Sequence, residues 1–400
     1  MRDRLRLPLL LAISTLPVMT AAALSPALPD LRAAFGGGAS AERWARWALT
    51  TPSLFAAVGA PGAGVLVDRT GRRPVLLGAL LLFAGSGGAG ALLGSLPALA
   101  ASRAVLGLAA GGLGTAVTTL LVDRYDDAQR RVLGGQAALM ALAALIYTLL
   151  GGALADLSWR APFGLYLLGG VLLGPAAVLV PASRAEANET PSSAAEEGGT
   201  SWGVIALLYG LAFLGMAIFN LVRVELPYYL RTLGLTSGLW IGGVLSGGTV
   251  SGALASLAYD RVRGRLGPGG TLALVFGLFG GGFGVVAVAP GVPAVVGGLV
   301  LAGGGMGVLV PALNDGVGNA VAPSARGRVL GALSTVRNGG RFAAPLLTVP
   351  ALVGPGATAP FGGAALLAGG LAAGLLLWAA TTRSLPAPDA AAEAAGRRAR

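Results

Sequence analysis

The side chains with the most chemistry to offer are arginines set inside apolar sequence. Ser334-Thr-Val-Arg337-Asn338-Gly-Gly-Arg341 puts two guanidinium groups four residues apart, on one face of a helix, with Asn338 beside them. Inside a membrane such a pair must face water or carboxylates, and Arg clamps a carboxylate with two parallel hydrogen bonds. Arg337, Asn338 and Arg341 are therefore read as cavity residues for an anionic substrate. The alternative puts Arg337 nearer a helix end, bonded to backbone or to Asp315. Arg103, in Ser102-Arg103-Ala-Val-Leu-Gly107-Leu-Ala-Ala-Gly111, interrupts another apolar run. An ionisable group there is functional or paired by default, unless it snorkels from the helix end to water. Asn220 and Arg223, Gln136 and Tyr147, and Asn314 and Asn319 are further polar groups that line a cavity or bond one helix to another. Acids suited to proton transfer are few. Asp30, in Leu28-Pro-Asp30-Leu, and Glu225, in Val224-Glu225-Leu-Pro227, are weighed as proton carriers against solvated loop positions, and the loop reading is favoured. Asp30 is kept beside Arg103 as a coupling residue; Asp123 and Asp315 are the other acids considered.

What is missing narrows the function further. The 400 residues contain no Cys and no His. Thiolate nucleophiles, disulfides, histidine bases and the usual soft metal ligands are therefore excluded, and neither an enzyme nor a bound cofactor or metal is expected. Every basic residue is Arg, so no Gly-rich segment can be completed into a nucleotide-binding loop by Lys. Any energy source is then external, the proton gradient being the expected one.

These groups must be positioned by membrane helices. Hydrophobic residues make up 54% of the chain and charged residues 11%, with a mean hydropathy of +0.76, whereas soluble domains carry about 25% charged residues. The apolar runs repeatedly reach the ~20 residues that cross a bilayer. The pattern predicts an all-α membrane protein with spans near 7–28, 45–66, 75–95, 98–121, 132–153 and 161–182, and again near 202–223, 236–258, 269–289, 293–314, 328–352 and 358–381. The first run resembles a signal peptide, but its length, Pro17, Pro26 and the lack of a clear cleavage site favour a membrane helix. The chain divides into a six-helix bundle over 1–182, a polar linker over 183–200, a second bundle over 201–382 and a disordered tail over 383–400. Formal net charge is +11. The arginines gather about threefold in the connectors on the side of the N-terminus, so both termini, linker and tail are expected in the cytoplasm, and nucleic acid is not an expected partner.

The chain also repeats. Asp68-Arg69 is echoed by Asp260-Arg261-Val-Arg263-Gly-Arg265, and Asp123 by Asp315 at the same spacing. Arg131-Val-Leu-Gly134 returns as Arg328-Val-Leu-Gly331. Two pseudo-symmetric six-helix halves with substrate between them at mid-depth is a transporter architecture.

The strongest single signal is the connector Gly64-Val-Leu-Val-Asp68-Arg69-Thr-Gly71-Arg72-Arg73-Pro74 between the second and third spans. Gly64 is suited to close backbone approach and Gly71 to a left-handed turn. The spacing resembles the signature loop of major facilitator superfamily transporters, and the resemblance extends over about residues 7–382. It implies that Gly64, Asp68, Arg69, Gly71, Arg72, Arg73 and Asp123 form a cytoplasmic gate: the loop aspartate caps a facing helix N-terminus and the loop arginine pairs with Asp123. Asp260 and Arg261 are the second-half counterparts. Arg103-x-x-x-Gly107-x-x-x-Gly111 resembles a fourth-helix motif of the superfamily whose Arg is implicated in proton coupling. Ser158-Trp159-Arg160-Ala-Pro162-Phe163, Leu226-Pro227-Tyr228-Tyr229-Leu230 after the seventh span, and the Leu24-to-Leu31 end of the first resemble the twelve-helix drug:proton antiporters. Tyr147-Thr148-Leu-Leu-Gly151-Gly152 keeps the final glycines of that group's fifth-helix motif and lacks its Gly-Pro. The expectation is a monomeric carrier in the cell membrane that exports small lipophilic or amphipathic molecules by alternating access. A nutrient or organic-anion uptake carrier on the same fold is the alternative, and a non-transporting membrane sensor a distant one.

Overall fold

A lipid-embedded backbone must satisfy its polar groups internally, so apolar runs of this length fold as helices. The computed structural model describes residues 2–124, 129–181, 200–322, 325–348 and 356–383; most of the expected linker and the expected tail lie outside them. In chain order the helices are α1 (Arg2–Ala22), α2 (Leu28–Ala34), α3 (Ala39–Thr70), α4 (Arg72–Ala89), α5 (Leu96–Arg124) and α6 (Gln129–Leu157). Then come α7 (Leu168–Leu179), α8 (Trp202–Thr232), α9 (Gly238–Ser256), α10 (Tyr259–Ala287), α11 (Val292–Ala320), α12 (Arg326–Ala343) and α13 (Ala359–Arg383). Short 3-10 turns join α1 to α2 (Ser25–Ala27), precede α7 (Ala161–Leu167) and follow α12 (Ala344–Thr348).

Counting α1 and α2 as one bent span gives twelve. Ten helices among the described residues are long and apolar enough to cross a bilayer. The other two have 18 residues each and spend them on charge: α4 opens with Arg72 and Arg73, and α12 holds Arg326, Arg328, Arg337 and Arg341.

Buried apolar side chains form two clusters. One runs from Leu9 to Val180 and borrows only Val224 and Ala344 from the second half; the other runs from Ile205 to Leu375. Within the first half α5 packs on α3 and α4; within the second, α10 packs on α11 and α13, and α11 on α9. The halves meet chiefly through α6 against α9 and α3 against α12.

Two boundaries differ from expectation in ways that matter. The seventh span does not stop at 223: α8 continues to Thr232 with Pro227 inside it, so Leu226–Leu230 is helix rather than loop. Glu225 and Pro227 look like a helix stop, but docking against the α1–α2 segment holds the extra turns in place. Secondly, Gly267 has φ 68°, breaking α10 into a short charged helix before it and a membrane segment after it, which agrees with a ninth span starting near 269.

Candidate functional site: the interface between the halves

One end of the molecule carries the N-terminus, the α3–α4 turn and the α9–α10 turn, and is rich in arginine. At the other end the two halves are bolted together. Arg231 at the end of α8 donates from Nη2 to both carboxylate oxygens of Asp30 on α2, each at 2.7 Å. Arg46 on α3 meets Glu225 on α8 through Nη2–Oε2 at 2.8 Å and Nε–Oε1 at 2.6 Å. The same Arg46 holds Glu42 at 2.7 Å, Glu42 holds Arg32 at 3.2 Å, and the Arg46 guanidinium lies 5.7 Å over the Tyr228 ring. Charges thus alternate along a chain from α2 through α3 to α8. Asp30 and Glu225 are therefore not solvated loop residues: Glu225 is 5% exposed and both are held by arginines of the other half or of this network.

The third bolt was not expected from the sequence. Asp156, in the last turn of α6, accepts from the backbone N–H groups of Gly238 and Leu239 and from Ser237 Oγ at 2.8 Å, capping the N-terminus of α9 in the other half. Unpaired N–H groups and the positive dipole end both favour a carboxylate there. Close approach makes this possible. A Cβ on Gly152 would strike the Gly238 backbone, one on Gly242 the Thr148 carbonyl, and one on Gly151 the Ala23 carbonyl. The retained Gly151-Gly152 pair is thus contact surface against the α1–α2 segment and α9. Trp47 and Phe342 stack across α3 and α12 at 4.9 Å.

The two ion-pair contacts and the Asp156 cap lie at one end. At the arginine-rich end, a Cβ on Gly64, Gly134, Gly135 or Gly331 would meet nothing within 4 Å. Gly64 therefore makes no close backbone approach here, contrary to expectation. Gly71 is as expected: φ is 90°, it alone separates α3 from α4, and its N–H bonds the Val67 carbonyl at 2.8 Å. Asp68 and Arg69 are exposed, and Asp68 has no partner among the described residues, so it caps no facing helix in this conformation. Arg72 is half-buried, while Arg73 donates to the Ala177 carbonyl in the last turn of α7, tying α4 to a helix of its own half. Asp123 stands in the last turn of α5, and its side chain lies outside the described residues.

In the second half an arginine–aspartate pair equivalent to the one expected with Asp123 is present, on different residues from those expected. Asp260 and Arg261 are exposed. It is Arg263 that bonds Asp315 at 2.9 Å, with Tyr259 at 3.1 Å and Asn319 at 2.9 Å completing the carboxylate's shell. Asp315 is thus engaged by the α9–α10 turn and not by Arg337.

Arg103 neither snorkels nor reaches the interface. It is fully buried inside the first half, donating to the Gly87 and Ser86 carbonyls at 2.8 and 3.1 Å. Its guanidinium lies 5.0 Å from the Phe163 ring and 4.9 Å from the Tyr166 ring. Those carbonyls are among the four at the end of α4 that have no intrahelical partner, so the cation satisfies them and the negative dipole end together. Tyr147 is also interior to the first half, its hydroxyl 2.8 Å from Thr15 Oγ1 on α1. Gln136 is half-buried on α6.

At mid-depth the interface is cationic. Arg341 on α12 is exposed, with Nη1 held by Asn338 Oδ1 at 3.0 Å. Asn220 on α8 donates to the Arg341 carbonyl at 2.9 Å. Arg223 is one turn beyond Asn220 on the same face of α8. Its carbonyl accepts from Ser25 of the first half at 2.6 Å, and it lines a 20 Å³ cavity with Ser25, Thr148, Phe219 and Thr249. Arg223 and Arg337 both lie close enough to Arg341 to repel it. None of the three has an ion pair among the described residues. The acid nearest in sequence, Glu225, is taken by Arg46. Each such Arg costs about 2.5–3.5 kcal/mol at the centre of a membrane helix by insertion scales. Sequence reading ranked Arg337 and Arg341 first and placed Arg223 near the end of its span; the full length of α8 puts it about 13 Å from the helix end, beside them.

The match to known proteins is to this architecture. The family model of the Major Facilitator Superfamily matches residues 10–345, and the chain belongs to that superfamily. No protein of curated function matches the sequence. Among solved structures, the fold is similar to a point mutant of the nucleoside transporter NupG, at 13% identity, covering 93% of this chain and 99% of that one with a TM-score of 0.72. It is similar also to a D-xylose-proton symporter (16% identity, 92% and 96% coverage, TM-score 0.73) and to the xylose transporter XylE from E. coli in its inward open conformation (16% identity, 92% and 95%, TM-score 0.71).

Proposed function

We propose that this chain is a secondary transporter that moves a small organic molecule across the cell membrane by alternating access. One observation carries the reading: three separate bonds tie the halves at one end, while at the other, among the described residues, Asp68 has no partner and a Cβ on Gly64 would meet nothing. With the arginine-rich end in the cytoplasm, this is a carrier closed to the outside and open to the cell interior. Opening outward breaks the Asp30–Arg231, Arg46–Glu225 and Asp156–α9 contacts. It docks the α3–α4 turn at the same time.

The finer reading is proton-driven export of amphipathic molecules. It is supported by sequence resemblance to drug:proton antiporters and by the apolar side chains Phe219, Val222 and Leu245 in the lining beside Arg223. The resembling Trp159–Phe163 segment packs the fold: Arg160 stacks on Trp159 at 4.2 Å and donates to the Ala91 carbonyl at 3.0 Å. Uptake is the second reading, favoured by the fold's likeness to a D-xylose-proton symporter. Energised everted vesicles carrying a pH-sensitive dye distinguish the two. Export predicts collapse of the proton gradient on adding substrate, abolished in Asp68→Asn. Accumulation of substrate by intact cells, with no collapse in vesicles, contradicts export.

A further inference from the structure

Resting on the transport reading, we infer that Arg223, Arg337 and Arg341 form one anion-binding site, and that the cargo is a small organic anion with an apolar body. The geometry is specific. Arg337 and Arg341 share a face of α12 one turn apart. The Asn220 bond to the Arg341 carbonyl fixes α8 against α12, with Arg223 one turn further along α8 and within electrostatic reach of Arg341. Asn338 orients the Arg341 guanidinium from the side, leaving its other donors free. Gly340 lets the helices close: its Cβ position meets the Phe213 carbonyl.

The charge balance points to a ligand. Elsewhere in the interface every arginine described above has found an acid: Arg46 with Glu42 and Glu225, Arg231 with Asp30, Arg32 with Glu42. Three neighbouring guanidinium groups without a carboxylate have an unfilled need for negative charge, and a carboxylate or phosphate between them is clamped by planar donor pairs. Phe219, Val222 and Leu245 line the small cavity beside Arg223 and offer the body of the ligand an apolar wall. A neutral molecule leaves the three positive charges uncompensated, and a cation is repelled.

The test uses three probes with one ring system and different heads: 2-naphthoate, 2-naphthol and 2-naphthylmethylammonium, with inorganic phosphate as a headgroup-only anion. Binding to the purified full-length chain is measured by equilibrium dialysis. The site predicts saturable 2-naphthoate binding at least tenfold tighter than the neutral and cationic probes, and weaker binding of phosphate. Arg223→Gln and Arg341→Gln each lower 2-naphthoate affinity tenfold or more, Arg341→Lys recovers part of it, and Arg328→Gln on the arginine-rich face changes nothing. Equal binding of the three heads by the wild-type chain, or no binding by any of them, overturns the inference without any variant. Unchanged affinity in folded Arg223→Gln and Arg341→Gln overturns it also. Its failure is separable from that of the transport reading. Selective 2-naphthoate binding without movement across proteoliposomes sinks transport and keeps the site. Movement of 2-naphthol or the ammonium probe without 2-naphthoate binding does the reverse.

Discussion

Arg103 shows how far a residue's chemistry can be read before its surroundings are known. That an arginine within an apolar run must be paired was legible; that its partners are the last carbonyls of α4 was not, because the pairing depends on how α5 lies against α4. Its two aromatic neighbours and two carbonyl bonds make it a clasp among α4, α5 and the turn before α7. Hydrogen bonds to a charged group contribute about 1.5–3 kcal/mol. Arg103→Gln should therefore lower the melting temperature by several degrees in detergent, while the protein that does fold keeps its transport rate. A selective loss of proton coupling at unchanged stability would instead return Arg103 to the coupling role the motif suggests. Arg223 is the opposite case: its type was noticed, and its importance was hidden by Glu225 and Pro227, which imitate a helix end.

At the scale of elements, helix termini explain much of the charge. Arg6 and Arg73 both donate to carbonyls in the last turn of α7, Arg326 to Gly318 in the last turn of α11, and Asp156 accepts from the first N–H groups of α9. Only the last of these crosses between halves, so it acts on conformation as well as on stability. Asp156→Asn keeps the size and loses the charge and one strong acceptor, at a cost of about 1 kcal/mol to the closed state. It should raise the labelling rate of a cysteine introduced at the N-terminal end of α9 severalfold. Gly152→Val acts on the same contact by bulk: its side chain would meet the Gly238 backbone, so α6 and α9 cannot close. Strongly accelerated labelling with the fold retained is expected; labelling at the wild-type rate would mean that α6 and α9 do not seal this end. The hydrophobic spans, the turn at Gly71 and the break within α10 were readable from local sequence. The seal was not, because Asp156 and Gly238 are 82 residues apart and neither carries a local mark of the other.

At the scale of the molecule, the pairs that hold the halves together join residues 179 and 201 positions apart, Arg46 with Glu225 and Asp30 with Arg231. They are consequences of docking, so they appear only once both bundles are built. The internal repeat pointed to Asp315, which in the second half is held by Arg263 and not by Asp260 or Arg261, while the side chain of its counterpart Asp123 lies outside the described residues. Glu225 is buried, and breaking a buried pair by removing one partner costs about 3–5 kcal/mol. Arg46→Ala should thus shift the molecule away from the state bolted at this end far more than Arg263→Ala, whose exposed pair contributes about 1 kcal/mol or less. Single-cysteine labelling at the two ends of the cysteine-free chain would report the difference. The most direct measurement is a pair of spin-label distances in the same preparation. One lies between Ala34 and Thr232 at the bolted end and the other between Thr70 and Ser256 at the arginine-rich end. In the wild type the first should be short and narrow and the second long. In an Asp30→Asn, Asp156→Asn variant a second population should appear in which the first lengthens and the second shortens together. Distances that change independently, or that stay fixed when the bolts are removed, would contradict alternating access between two rigid halves.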